Sequence, residues 1–165
     1  MQETGKPGVI DVTDLRILER LQQDASQSNQ DLAEQCGISA ATCLRRVRRL
    51  VETGVIERRV AVLSPERLGG SLTGIVEVTL DHQGAEHLTA FERRAIAEPS
   101  VQQCYRVSGG PDFVIIAQAA DMAGWAALVE RLFTQDANVR NVKTFFALRR
   151  TKFDLRIALP GRAAT

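Results

Sequence analysis

SNQDLAEQCGISAATCLRRVRRL, residues 28–50, decides how the chain is read. Ser28 and Asp31 have capping-box spacing, with Asp where Glu or Gln is usual. They open a short helix from Asn29 to Gln35 with Leu32 and Ala33 facing inward. Cys36-Gly37-Ile38 is then a tight turn, and Gly37 supplies the positive φ that such turns commonly need. Ser39 caps a second helix, its hydroxyl able to accept from a free amide of the first turn. Cys43, Val47 and Leu50 recur at i, i+4 and i+7 on one face of it, and Gly54 supplies its stop. Arg45, Arg46, Arg48 and Arg49 fall largely off that stripe. The product is a helix-turn-helix whose second helix has an apolar back and a basic front, the arrangement that enters a DNA major groove.

The plain alternative is a solvated basic face, which is what most charge runs are. DNA binding is favoured on two grounds. Ala40, Ala41 and Thr42 are small, so the backbone can approach DNA closely, and no acid interrupts the basic run until Glu52. Between Ser39 and Arg59 six arginines face only Glu52 and Glu57, a local basic footprint on a chain whose net charge is +1. The expected DNA contacts are Ser39, Ala40, Ala41, Thr42, Arg45, Arg46 and Arg49, with Thr42 reading bases and Arg46 and Arg49 holding phosphates. Val55, Ile56, Val60, Val62 and Leu63 read as strand material for a wing. Arg58 and Arg59 within it either guard an edge strand or join the contacts to phosphate, and these two readings stand level.

Outward from this stretch, Asp11 to Asp14 offers another N-cap. Leu15, Leu18 and Leu21, flanked by Ile17, make a buttressing helix through about Gln23, and residues 1–9 read as a loose tail. Ser64-Pro-Glu-Arg-Leu-Gly-Gly70 is a composition break. Beyond it the expected elements are strand Leu72–Leu80, helix Ala85–Ala97, strands Val101–Val107 and Phe113–Ala119, helix Met122–Thr134 and strand Val139–Leu148. That order is the split βαβ, or ferredoxin-like, one. The expected fold is therefore α+β: a winged helix-turn-helix over residues 1–63, a linker over 64–71, and a ferredoxin-like βαββαβ domain over 72–165. An apolar free sheet face would invite dimerisation, and the tail Lys152 to Leu159 offers a further strand.

The 165-residue chain has the composition of a soluble globular protein. Its three cysteines (Cys36, Cys43, Cys104) lack CxxC spacing and read as reduced, mostly buried thiols rather than metal ligands. His82 and His87 lack ligand-spaced neighbours and read as surface residues. No signal pattern and no membrane-length apolar run is present, so a cytoplasmic or nucleoid-associated protein without membrane contact is expected.

Several spaced pieces together resemble the Lrp/AsnC family of transcriptional regulators over nearly the whole chain. They are Ile10-Asp-x-x-Asp14-x-x-Ile17-Leu18, Asp31-Leu-Ala33, Gly37-Ile-Ser39, Arg46-Val-x-x-Leu50, Gly54-Val-Ile56 and Val101-x-x-Cys104-Tyr105-x-Val-x-Gly109-x-x-Asp112-Phe113. The resemblance implies double-stranded DNA as partner, dimers that assemble to tetramers or octamers, and a small effector, usually an amino acid, bound between dimers. The implied effector region is Tyr105, Val107, Gly109, Gly110, Pro111, Asp112, Met122, Trp125, Phe145, Phe146 and Ala147. Chemically, Gly109 and Gly110 could offer amides to a carboxylate and Asp112 could pair with an ammonium. Tyr105, Met122 and Phe146 could enclose an apolar side chain. Gly-Gly-Pro-Asp is equally a plain β-turn, and a Met and Trp at helical spacing are usually core. The sequence departs from the family pattern in two places: Arg58-Arg59 replaces a Gly-aromatic pair, and Ser26 lies near the place of a frequent arginine. No catalytic residue, cofactor or metal is expected. The alternatives are a tetrapyrrole decarboxylase-like enzyme on the same two-part architecture, or a DNA architectural protein without effector.

Overall fold

The computed structural model describes residues 9–160, so most of the expected N-terminal tail lies outside the described residues. Two compact units form. The first takes the chain up to Val62 together with the segment from Lys152, and the second is Leu63–Thr151.

The first unit contains α1 (Val12–Gln23), α2 (Asn29–Cys36) and α3 (Ala40–Glu52). Each start is a side-chain cap. Asp11 accepts from the Asp14 N–H at 2.9 Å while Asp14 accepts from the Asp11 N–H at 3.1 Å, a reciprocal capping box. Ser28 and Ser39 accept from the Asp31 and Thr42 amides, and Gly37 ends α2 at φ +66°. Ile17, Leu18, Leu32, Ala33, Cys36, Cys43, Val47 and Leu50 form its core. All three cysteines are free thiols, and burial pushes each of them up from its ordinary pKa.

Two expected strands are absent. Residues 55–63 carry no strand, and Val60, Val62 and Leu63 are exposed. The tail 152–159 adds none to the sheet; it is grouped with the first unit, and Leu159 packs on that unit's core. The tail alternates in hydropathy and residues 55–63 are rich in β-branched side chains, but such a pattern makes a strand only where a ladder partner takes up the backbone groups. The tail finds a different partner: the Ile157 N–H donates to Gln22 Oε1 at 2.7 Å, and Gln22 Nε2 donates back to the Ile157 carbonyl at 3.3 Å.

The second unit runs β1 (Leu72–Leu80), α4 (Ala85–Ala97), β2 (Val101–Arg106), β3 (Phe113–Ala119), α5 (Met122–Val129) and β4 (Val139–Phe146). The strands form one antiparallel sheet in the order β2-β3-β1-β4. Strand alternation sends Val76, Val78, Leu80, Phe113, Ile115 and Ala117 into a core with Phe91, Ala95, Trp125 and Leu128 from the helices. The expected second helix, Met122–Thr134, is helical over that span but not α throughout. It passes at Glu130–Thr134 into a π turn that buries the adjacent Leu132 and Phe133 together. β4 stops at Phe146, and Leu148 beyond it is fully exposed.

Gly74 in β1 is what lets α5 approach. A Cβ there would lie 2.0 Å from Cη2 of Trp125, whose ring meets Phe146 edge-on at 5.0 Å between centroids. Gly74→Ala is expected to cost about 1–3 kcal/mol through overpacking. Urea unfolding by far-UV circular dichroism would read the loss. Emission from Trp125, the chain's one tryptophan, would report the displaced ring. An unchanged midpoint would show that α5 can shift freely.

Candidate DNA interface and effector region

Helix periodicity divides the α3 arginines into two pairs. Arg46 and Arg49 flank the buried stripe and reach α1, where Asp11 and Asp14 have the matching spacing of three. Arg46 donates to Asp11 Oδ2 at 2.7 Å and to Asp14 Oδ1 at 2.9 Å, and Arg49 bonds the other oxygen of Asp14. Asp14 is fully buried between them. Arg46 and Arg49, expected to hold phosphates, have their guanidinium groups engaged in clamping α3 onto α1. The Asp14 backbone N–H, and after it the Arg46 guanidinium, hold the Asp11 carboxyl below its ordinary pKa. The stability linked to Asp11 is complete above the ordinary carboxylate range and is lost as pH falls through the lowered value. Acid loosens this clamp and alkali does not.

Arg45 and Arg48 take the other side of α3. Both are exposed, and among the described residues neither they nor Arg58 and Arg59 have a carboxylate partner. Arg48 is missing from the contacts expected from sequence. The signal for it was present: it stands three residues from Arg45 and four from Leu44, on the face away from Cys43, Val47 and Leu50. Ala40 and Ala41 are exposed at the helix start. The Ser39 hydroxyl donates to Thr42 Oγ1 at 2.9 Å, leaving the Thr42 hydroxyl its own proton to donate.

The expected effector residues fall into separate groups within one chain. Tyr105 pairs across the sheet with Val114, and Phe113 beside it with Val78, toward the Leu80 end of β1. The turn that carries Gly109 (φ +76°) and Gly110 (φ +100°) lies at that same end. It is tied there because the Asp112 N–H donates to the Val78 carbonyl at 2.9 Å, and Asp112 Oδ2 accepts from the Leu80 N–H at 2.7 Å. One Asp112 oxygen thus anchors the turn, where an ammonium partner had been expected. Val107 closes the same turn by donating to the Asp112 carbonyl, and Pro111 within it is half-buried.

Phe146 pairs with Gly74 and the Ala147 N–H donates to Thr73, at the opposite end of β1. Met122 follows β3 at that end, and it is exposed. At the strand rise, Gly74 and Leu80 are about 20 Å apart. Successive residues Phe145 and Phe146 also face opposite sides. Phe146 meets Trp125 on the helix side, and Phe145 lies on the free side under Lys143 Nζ at 4.7 Å. Trp125 is only 4% exposed and packs in the core. Tyr105, Met122 and Phe146 do not enclose one volume in a single chain.

A capped helix-turn-helix with unpartnered arginines, followed by a helix-covered antiparallel sheet, defines a DNA-binding regulator with a separate second domain. Residues 10–57 match the winged helix-turn-helix DNA-binding model, and residues 73–157 match the Lrp/AsnC ligand-binding domain. The chain is 39% identical over 143 residues to a leucine-responsive regulatory protein of Rhizobium meliloti, covering 87% of this chain and 92% of that one. It is 36% identical to the Bkd operon transcriptional regulator of Pseudomonas aeruginosa, over 85% of this chain and 92% of that one. Among solved structures it is similar to an AsnC family regulator from Agrobacterium tumefaciens (31% identity, TM-score 0.80, 90% and 96% of the two chains). It is also similar to a Neisseria meningitidis regulator in complex with L-methionine (26% identity, TM-score 0.82, 92% and 98%). This chain belongs to the Lrp/AsnC family of transcriptional regulators.

Two substitutions separate the arginine pairs. Asp14→Ala removes both a buried ion-pair partner and half of a capping box, and is expected to destabilise the first unit by about 2–4 kcal/mol. Arg45→Ala should leave the thermal midpoint in place while lowering the slope of log K against log salt by about 0.9. Arg46→Ala is expected to act like Asp14→Ala, lowering stability without moving that slope. A fully stable Arg46→Ala protein with a reduced slope would return Arg46 to the phosphate contacts.

Proposed function

We propose that this protein is a transcriptional regulator that binds double-stranded DNA as a homodimer or a larger assembly of dimers, and that a small effector, an amino acid or a related metabolite, alters that binding. DNA is met by Ser39, Ala40, Ala41, Thr42 and Arg45 at the start of α3, with Arg48 one turn on. The observation that carries the effector reading is the division of the effector region between the two ends of the sheet. The Gly109–Gly110 turn has amides suited to a carboxylate, while Met122 and Phe146 supply apolar surface at the far end. A second chain is needed to bring one group against the other.

The free sheet face supports self-association. Ile75, Phe145 and Tyr105 remain 39%, 43% and 53% exposed on it, beside half-buried Val114 and Ile116. Such a face is a common route to a two-fold interface. Linkage then supplies the mechanism: a ligand that prefers one assembly shifts its population, and operator occupancy follows. The L-methionine complex of the Neisseria meningitidis regulator makes amino acids the first chemical class to try. No helix among the described residues is long and apolar enough to cross a membrane.

The test is binding to the gene's own upstream DNA at fixed salt, with and without each of the twenty amino acids, alongside sedimentation of the protein under the same conditions. One or a few amino acids are expected to change both affinity and sedimentation. Replacing Gly110, held at φ +100°, with Val should abolish the response while DNA binding persists. Specific binding indifferent to every amino acid would refute an amino-acid effector.

A further inference from the structure

The free face of the sheet carries one charged rung inside an apolar patch. Strand alternation places Glu77 there, because Val76 and Val78 on either side of it are buried in the core. Lys143 is its direct partner on β4 and shares that face with Phe145. The rows around them are apolar: Ile75 pairs with Phe145 on β4 and with Ile116 on β3, and Val114 flanks Glu77 on the other side. Neighbouring strands stand only about 5 Å apart, yet Glu77 and Lys143 do not pair within the chain. The Lys143 ammonium turns along its own strand and rests over the Phe145 ring, 4.7 Å from its centroid. Glu77 is half-buried, and among the described residues its carboxylate has neither a hydrogen-bond nor an ion-pair partner. A carboxylate in that setting opposes an apolar cover and favours one that brings it a cation.

Building on self-association through the free sheet face, which the proposed function assumes, we propose that a second copy of this chain supplies that cation. Glu77 of each copy pairs with Lys143 of the other, and the two reciprocal pairs lock the register of the homodimer. A two-fold axis that stacks two copies of one face lies in the plane between them, so it exchanges positions across a line drawn on the sheet. Exchanging Glu77 with Lys143 leaves one such line, parallel to the strands and midway between β1 and β4. That line also exchanges Ile75 with Phe145, so each apolar side chain meets an apolar one. A line along β1 itself sets Glu77 against Glu77. A line across the strands between the two rows sets both charges against Ile75 and Phe145. Stacked sheets lie about 10 Å apart, a gap that an extended Glu and an extended Lys span end to end. Ion pairs of this kind contribute more to discrimination than to net affinity. The rung therefore selects a second copy of this chain over a sheet without the matching charges, and it excludes slipped stackings.

The test uses the full chain carrying Glu77→Lys or Lys143→Glu, the two variants distinguished in mass by a short tag. Sedimentation equilibrium gives the dimer Kd, and native mass spectrometry of mixtures gives the choice of partner. Either reversal alone sets like charges against each other and is expected to raise the dimer Kd by at least about tenfold. Mixed together, the two variants should recover the wild-type affinity as a heterodimer. Both reversals in one chain should recover it as a homodimer. Recovery on mixing is the decisive readout, since a pair formed within one chain cannot be rescued by a second. Thermal unfolding accompanies every variant. Where a reversal loses its fold, Glu77→Gln and Lys143→Gln replace the pair, each raising the Kd alone and the mixture again preferring the heterodimer. Folded variants that dimerise like the wild type, or a mixture that assorts at random, would overturn the lock while leaving self-association intact. A wild-type protein that stays monomeric throughout the concentration series would instead sink the homodimer reading beneath it.

Discussion

Asp14 is the constraint around which the first unit is arranged. It is a fully buried carboxylate that at once completes the cap of α1 and receives two arginines of α3. A buried charge is costly unless every oxygen is satisfied, and breaking such a set costs more than a hydrophobic replacement would have. The arrangement therefore contributes direction more than net stability. It fixes the rotation of α3 about its own axis, because Arg46 and Arg49 must point at α1. Once that rotation is set, Arg45, Arg48, Ala40 and Ala41 have to face outward. The basic front of the recognition helix consists of Arg45 and Arg48, while Arg46 and Arg49 are paired with carboxylates behind it.

The second unit solves a different problem. Its sheet buries one face under α4 and α5 and leaves the other half-exposed, and Gly74 sets how closely α5 can approach. The same geometry keeps chemically complementary groups apart: amide-rich backbone at the Asp112 end, apolar side chains at the Phe146 end. On the proposed function, a lone copy would hold the parts of a ligand site without the enclosure, and ligand affinity and assembly would be one equilibrium.

Much of this was legible in the sequence because it is local. Caps at Asp11, Ser28 and Ser39, the left-handed Gly37, and the spans Leu72–Leu80, Ala85–Ala97 and Phe113–Ala119 all follow from spacing and turn chemistry within a few residues. What was not legible depends on distant partners. Val60 and Val62 alternate as a strand does, yet a strand is a property of a pair, and that segment meets none among the described residues. Arg46 resembles a phosphate ligand in sequence because periodicity shows only that it leaves the apolar stripe, not that two carboxylates wait beside it. The matching spacing of Asp11-x-x-Asp14 and Arg46-x-x-Arg49 is a visible clue, but a weak one, because it joins segments 35 positions apart. Trp125 falls in the effector region by resemblance, and its place in the core turns on a missing Cβ at Gly74.

The tail clamp at Gln22 carries a consequence for how the molecule is made. That contact spans 135 positions, so the first unit is completed by residues synthesised after the whole of the second. α1, α2 and α3 can form early, since their contacts are close in sequence and loop closure among them is cheap. The core under α1 gains Leu159, and Gln22 its bonds to Ile157, only after the entire sheet has left the ribosome. Until then the nascent chain has a DNA-binding head with an uncovered apolar flank. The two units thus start in one order and finish in the other.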